Sequence, residues 1–411
     1  TGKTGNNTLD DIGRASMLYS VIVNDFKNVD DERKKKIENP GQGTDTIRAS
    51  TSYTLSANVE NLILTGTANI DGTGNAGDNT ITGNSGNNTL DGGLGTDRLV
   101  GGLGDDTYII DNNRDVIVDT AGHDSVYAPY SFTLAAALED LVLTGTSDLN
   151  GTGNAYANAI TGNDGDNKLS GLAGNDVLIG GLGDDSLIGG TGLDNMTGGD
   201  GDEIYSIDNA GDVIVELAGE GSDTAVLSVS YVFDPTSEIE TISFSNTLAL
   251  NVTATDTDNL ITGTASATRI SALDGNDVIF GLGGADSIDA GAGDATITGG
   301  AGQDTIRGGT GADLFIIENI TPFIADIIQD FNISTDNDVL DISALLSGYD
   351  PLTDVLTDFV RILDSGPNSL VQVDVNGTAG APTFVTVAIL QGITGLTGEA
   401  ALVASGNLIV S

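Results

Sequence analysis

A large apolar residue returns at every ninth position in three stretches of this chain. It is Ile81, Leu90, Leu99 and Tyr108 in residues 74–109, then Ile160, Leu169, Leu178, Leu187, Met196 and Tyr205 in residues 153–206. In residues 254–316 it is Ile261, Ile270, Ile279, Ile288, Ile297, Ile306 and Phe315. A repeat this short can bury its apolar residue only by stacking on its neighbours. The spacing predicts a short strand over the last three positions of each unit, with position eight facing inward. Two units make one turn of a flattened helix, so residues 18 apart share an edge.

The polar positions keep the same beat. Gly92-Gly93-Leu94-Gly95-Thr96-Asp97-Arg98-Leu99-Val100 runs directly into Gly101-Gly102-Leu103-Gly104-Asp105-Asp106-Thr107-Tyr108-Ile109. The pattern is G-G-x-G-x-D-x-U-x, with U the apolar residue. Position six reads Asn79, Asn88, Asp97 and Asp106 in the first stretch. It reads Asn158, Asn167, Asp176, Asp185, Asp194 and Glu203 in the second, and Asn259, Thr268, Asp277, Asp286, Ala295, Asp304 and Asp313 in the third.

A longer period encloses the short one. Tyr53-Thr54-Leu55 through Leu62-Ile63-Leu64-Thr65-Gly66-Thr67 recurs 79 residues later as Phe132-Thr133-Leu134 and Leu141-Val142-Leu143-Thr144-Gly145-Thr146. A weaker third copy starts at Tyr231. The first two stretches leave through alternating or β-branched segments, Tyr108-Ile109-Ile110 with Asp115-Val116-Ile117-Val118, and Tyr205-Ser206-Ile207 with Asp212-Val213-Ile214-Val215. These read as strands. The expected segments are 1–52, a degenerate start; 53–130, 131–230 and 231–316, three repeat units; and 317–411, a β-rich cap. Asp30-Asp31-Glu32-Arg33-Lys34-Lys35-Lys36 is expected to be a solvated irregular face or part of a decayed first repeat.

Composition changes the picture in one respect. The 411 residues carry 60 acidic and 14 basic side chains, a net charge of -46. Such a chain repels nucleic acid and anionic membrane, and its natural partner is a cation. There is no Cys and one His, His123, which excludes disulfides, thiolate sites and a two-His zinc site. No apolar run reaches the roughly 18 residues of a membrane span. The chain starts at Thr1 with no Met and no signal peptide, so it is expected to be processed, a fragment, or exported by a route that reads another part of the sequence.

Glycines at positions one, two and four let the chain turn tightly and direct carbonyl oxygens into one space, which the position-six carboxylate closes. Oxygen-only ligands suit a hard cation of flexible coordination, Ca²⁺ better than Mg²⁺. The expected carboxylates are Asp97, Asp106, Asp176, Asp185, Asp194, Glu203, Asp277, Asp286, Asp304 and Asp313. Stacking 18 residues apart pairs Asp176 with Asp194, Asp185 with Glu203, and Asp286 with Asp304. Asp97 faces Asn79 and Asp106 faces Asn88, which predicts weaker sites. Ala295 leaves a gap that Asp294 is expected to fill in part. Acids outside the beat, such as Asp115 and Glu216, are expected to serve solubility.

These stretches resemble the repeats-in-toxin (RTX) family, whose nonapeptides form a parallel β-roll with Ca²⁺ in its turns. The resemblance implies an all-β fold: a right-handed parallel β-roll, or β-solenoid, interrupted by strand segments and closed by a β-rich C-terminal cap. It also implies carbonyl ligands at positions two and four, here Gly93 and Gly95, Gly102 and Gly104, Gly181 and Gly183, Gly190 and Gly192, and Gly300 and Gly302. The tail, with Asp326-Ile327-Ile328-Gln329-Asp330-Phe331, Asp338-Val339-Leu340-Asp341, Val371-Gln372-Val373-Asp374-Val375-Asn376-Gly377 and Leu408-Ile409-Val410, is similar to the C-terminal target domain of type I secretion substrates. That implies export by an ATP-driven transporter of a Gram-negative bacterium.

No G-x-S-x-G, Walker or dinucleotide-binding sequence is present. His123-Asp124-Ser125 cannot form a triad, because neighbours on a strand face opposite ways. No catalytic residue is assigned. The sequence favours a secreted calcium-binding protein that folds and assembles with Ca²⁺ as a structural extracellular component: a surface layer, matrix or filament. The alternative is a non-catalytic C-terminal module of a larger secreted enzyme, adhesin or toxin. Expected partners are calcium ions, the transporter and, as a homo-oligomer or polymer, further copies of the chain.

Overall fold

The computed structural model describes residues 7–9, 25–30, 40–41, 43–318, 324–346, 348–374, 383–396 and 398–411. The charged run at 31–36 and the tail residues 375–377 lie outside the described residues. The fold is an all-β parallel solenoid, and the chain divides into two compact units, Thr1–Asp200 and Gly201–Ser411.

In the first unit, short strands alternate between facing sheets, because each nonapeptide contributes one strand and the next contributes its opposite. Thr80–Thr82 pairs in parallel with Arg98–Val100, and Thr89–Asp91 with Thr107–Ile109. The register pairs Ile81 with Leu99 and Leu90 with Tyr108. The expected exit strands are present as Thr107–Ile109 and Val116–Val118. The same parallel sheet reaches back through Thr46–Ala49 and Asp25–Val29 to Asn7–Leu9.

In the second unit the exit strands are Ile204–Ile207 and Val213–Val215. Parallel pairing then runs from Leu260–Thr264 through Val278–Leu282, Thr296–Thr298 and Leu314–Ile316 to Val339–Asp341. The end of this unit changes character. Val360–Ser365, Asn368–Asp374 and Phe384–Leu390 form an antiparallel meander, joined in parallel to Asp326–Ile328. It occupies the edge strand that stacking would otherwise leave open.

The core is the position-eight row. All seventeen residues of that row are buried, none more than 2% exposed. Flanking positions seven and nine are mostly half-buried or exposed, as the pleat requires.

Candidate metal centre

Position six stands where each strand begins, one residue before the pleat. From there its carboxylate turns inward under the next turn. Asp97, Asp106, Asp176, Asp185, Asp194, Glu203, Asp277, Asp286, Asp304 and Asp313 are all at most 2% exposed. One oxygen of each aspartate is used in a fixed way. Asp97 Oδ1 accepts the amide of Asn79, and Asp106 Oδ1 that of Asn88. Asp176, Asp185 and Asp194 accept from Asn158, Asn167 and Asp176 at 2.7, 2.6 and 2.8 Å. Asp277, Asp286, Asp304 and Asp313 accept from Asn259, Thr268, Asp286 and Ala295. The carboxylate row therefore doubles as a ladder between turns 18 residues apart.

The second oxygen has no such use. Oδ2 of Asp97, Asp106, Asp176, Asp185, Asp277, Asp286, Asp304 and Asp313 is buried without a hydrogen-bond partner. A buried anionic oxygen left in that state is strongly unfavourable. Burial pushes Asp97, Asp185, Asp277, Asp286 and Asp313 up to about 7, and Asp106 to about 6, against the accepted amide bond that pulls each down. Burial also raises Asp176 and Asp304.

The glycines frame the same space. Gly93, Gly95, Gly102, Gly104, Gly181, Gly183, Gly190, Gly192, Gly300 and Gly302 all have positive φ. Successive turns lie so close that a Cβ on Gly302 would sit 1.4 Å from the carbonyl oxygen of Gly284. At position one, a Cβ on Gly92 would sit 2.4 Å from Asp97 Oδ2. Backbone carbonyls and an orphaned carboxylate oxygen thus converge in a space that no side chain could share. That donor set fits a hard, oxygen-seeking cation.

Turns with Asn at position six close differently. Asn88 Oδ1 accepts from Asn84 N, and its Nδ2 donates to Ile70 O at 2.7 Å. Asn79 does the same with Asn75 N and Val59 O, and Asn158 with Asn154 N and Leu138 O. The side-chain amide supplies the positive partner itself. Asp294 does not stand in for Ala295: it is exposed and accepts from Ala312 N.

The expectation for Asp115 and Glu216 needs correcting. Asp115 Oδ1 accepts from Asp97 N at 2.9 Å, and Glu216 is buried at 4% exposure. The beat runs on past the glycines: Asp115-Val116-Ile117-Val118 and Asp124-Ser125-Val126-Tyr127 repeat positions six to nine. Asp124, Asp326 and Asp338 likewise hold the amides of Asp106, Asp304 and Asp313. The phase of D-x-U-x carried this signal after the glycine signature had ended. Position five was missed too: Asp78, Asp105 and Asp166 form an outer ladder by accepting from Thr96, His123 and Asp184. His123 and Ser125 both reach Asp140 rather than each other.

Comparison with known proteins agrees with this geometry. The family model of the RTX calcium-binding nonapeptide repeat, in four copies, matches residues 73–108, 152–187, 179–214, 262–297 and 290–316. No curated protein matches the chain. Among solved structures, the extracellular lipase LipA from Serratia marcescens is similar over 70% of this chain and 45% of its own length, at 15% identity and a TM-score of 0.24. The chain thus spans under half of that protein.

Proposed function

Because the chain carries RTX calcium-binding nonapeptide repeats, we propose that it is a secreted protein whose fold is set by Ca²⁺ and that serves as a structural extracellular component. The observation that carries this reading is the row of buried Oδ2 atoms without partners. Asp97, Asp106, Asp176, Asp185, Asp194, Glu203, Asp277, Asp286, Asp304 and Asp313 would hold the ions together with the carbonyls of the paired glycines. When bound, Ca²⁺ supplies the positive charge that the carboxylate row lacks.

The chain's own residues do the rest. Each Oδ1 fixes the register of the turn before it, and the glycines admit the close approach of successive turns. Position eight fills the interior. With ions scarce, a chain of net charge -46 repels itself and stays open, a form that a transporter can thread. RTX proteins are typically secreted by Gram-negative bacteria, and export through a type I transporter followed by folding in external calcium fits this logic. Binding free energy then becomes folding free energy.

Electron microscopy of the native secreted protein tests the structural role. Assemblies in millimolar calcium that disperse on chelation are expected. Single particles in both conditions would contradict that role, even where calcium is bound.

A further inference from the structure

Over residues 154–200 the outer charge alternates from one nonapeptide to the next. The units leading into Ala159–Thr161, Val177–Leu182 and Asn195–Asp200 lie side by side, because those strands pair in parallel. The units between them lead into Lys168–Ala173 and Ser186–Thr191, which pair on the opposite sheet. On that second side Asp164, Asp166 and Asp184 are exposed, with Lys168 beside them. On the first side, residues 154–161, 171–179 and 189–197 hold only two charged side chains, Asp176 and Asp194. Both are ladder acids turned inward, each 1% exposed. The outer surface of those three units thus carries no charge, in a chain of net charge -46.

The uncharged side is also apolar. Tyr156, Leu172 and Leu193 are 63%, 48% and 55% exposed, and Val177 and Ile179 are 40% exposed. They fall on three adjacent coils. A Cβ on Gly174 would lie 2.5 Å from Tyr156 O, Leu172 pairs with Gly190, and Leu193 N donates to Asn175 Oδ1. Two of the five replace glycines of the beat. Tyr156 is at position four, where Gly77 stands 79 residues earlier, and Leu172 is at position two. Leu172 is held at φ +77°, a conformation that costs a leucine free energy. Neither side chain adds to the core, which position eight fills. Apolar side chains kept at turn positions meant for glycine, and pointed outward, are explained by a contact outside the coil.

Charge selects the occupant. Two copies of a polyanion repel wherever carboxylates come into apposition, and this side lets them meet without any. Uncharged against uncharged, the surface complements itself, as a two-fold contact requires. An ionic partner would find no group here to pair with. We propose that Tyr156, Leu172, Val177, Ile179 and Leu193 form a self-association surface that docks the same surface of a second copy of this chain. The contact deepens the structural role proposed above and rests on it.

The test is sedimentation velocity of the full chain in saturating calcium over a range of concentrations. Tyr156→Gly with Leu172→Gly restores the residues of the beat. The parent is expected to associate, and the double variant to keep its β circular dichroism while associating at least about tenfold more weakly. Leu182→Ser removes a side chain 47% exposed on the acidic side and is expected to change nothing. The chain has no Cys, so Leu172→Cys should link copies through a short bismaleimide and Leu182→Cys should not. If the double variant does not fold, Val177→Ser with Ile179→Ser probes the same face. Unchanged association in the variants of this face, or an equal loss in Leu182→Ser, overturns the inference and leaves the structural role standing. A parent that stays single at every concentration removes both. A single parent that floats with phosphatidylcholine vesicles, where the double variant does not, gives the surface to lipid and also overturns the inference.

Discussion

A position-six aspartate divides its two oxygens between two tasks. In Asp286, Oδ1 holds the amide of Thr268 at 2.6 Å, and Oδ2 faces the space between turns without a partner. Asp286→Asn keeps an oxygen for the first task and replaces the second with an amide that cannot ligate. The calcium midpoint should rise, read by circular dichroism against calcium concentration, while the saturated fold is retained. Asp286→Ala loses the ladder bond as well and should be worse by about 1 kcal/mol. Gly302→Ala should prevent closure of its turn, because its Cβ would lie 1.4 Å from Gly284 O. Proton linkage has a definite sign. Asp97, Asp185, Asp277, Asp286 and Asp313 rise from 3.8 to about 7 by burial in the ion-free fold. Their contribution is therefore present below about pH 4 and lost as pH climbs through about 7. The chelated chain should become more compact on acidification. Calcium, which competes with those protons, should bind more weakly at about pH 5 than at about pH 8.

Turns of two kinds make up each repeat stretch, and they should answer differently to calcium. Asn79, Asn88, Asn158 and Asn259 close their turns with side-chain amides, Asn259 Nδ2 reaching Ile239 O at 2.6 Å. Each stretch opens with such turns and passes to Asp turns with glycines at positive φ. Hydrogen exchange at low calcium should show the amides near Asn88 protected before those near Asp286. Uniform protection would contradict this. Leu178→Ala, at a fully buried position eight, should lower stability in saturating calcium by about 2–5 kcal/mol. The repeat strands were legible because one apolar residue per nine has no other way to be buried. The carboxylates were legible for the same reason of phase. Asp115 and Asp124 were harder to see, because the paired glycines that open a unit are gone there and only D-x-U-x persists, and Glu216 stands outside even that pattern. The split between the two oxygens of one carboxylate could not be read at all. It depends on the distance between turns, which sequence spacing leaves open.

The charge of the whole chain, -46, sets the terms for everything smaller. Carboxylates in the rows repeat every 18 residues, close enough in space to repel strongly where water is excluded. The position-eight core alone must hold the turns together against that repulsion and against the entropy of the glycines. Divalent ions remove the repulsion and add bonds at once, so folding should be cooperative in calcium within each compact unit. Magnesium should substitute poorly, since it keeps its water and prefers a rigid octahedron. The most direct measurement is far-ultraviolet circular dichroism of the full chain, first in excess chelator and then through a calcium titration. A spectrum of open chain that converts cooperatively to β structure, and reverts on chelation, is predicted. The same β spectrum in excess chelator would contradict the account.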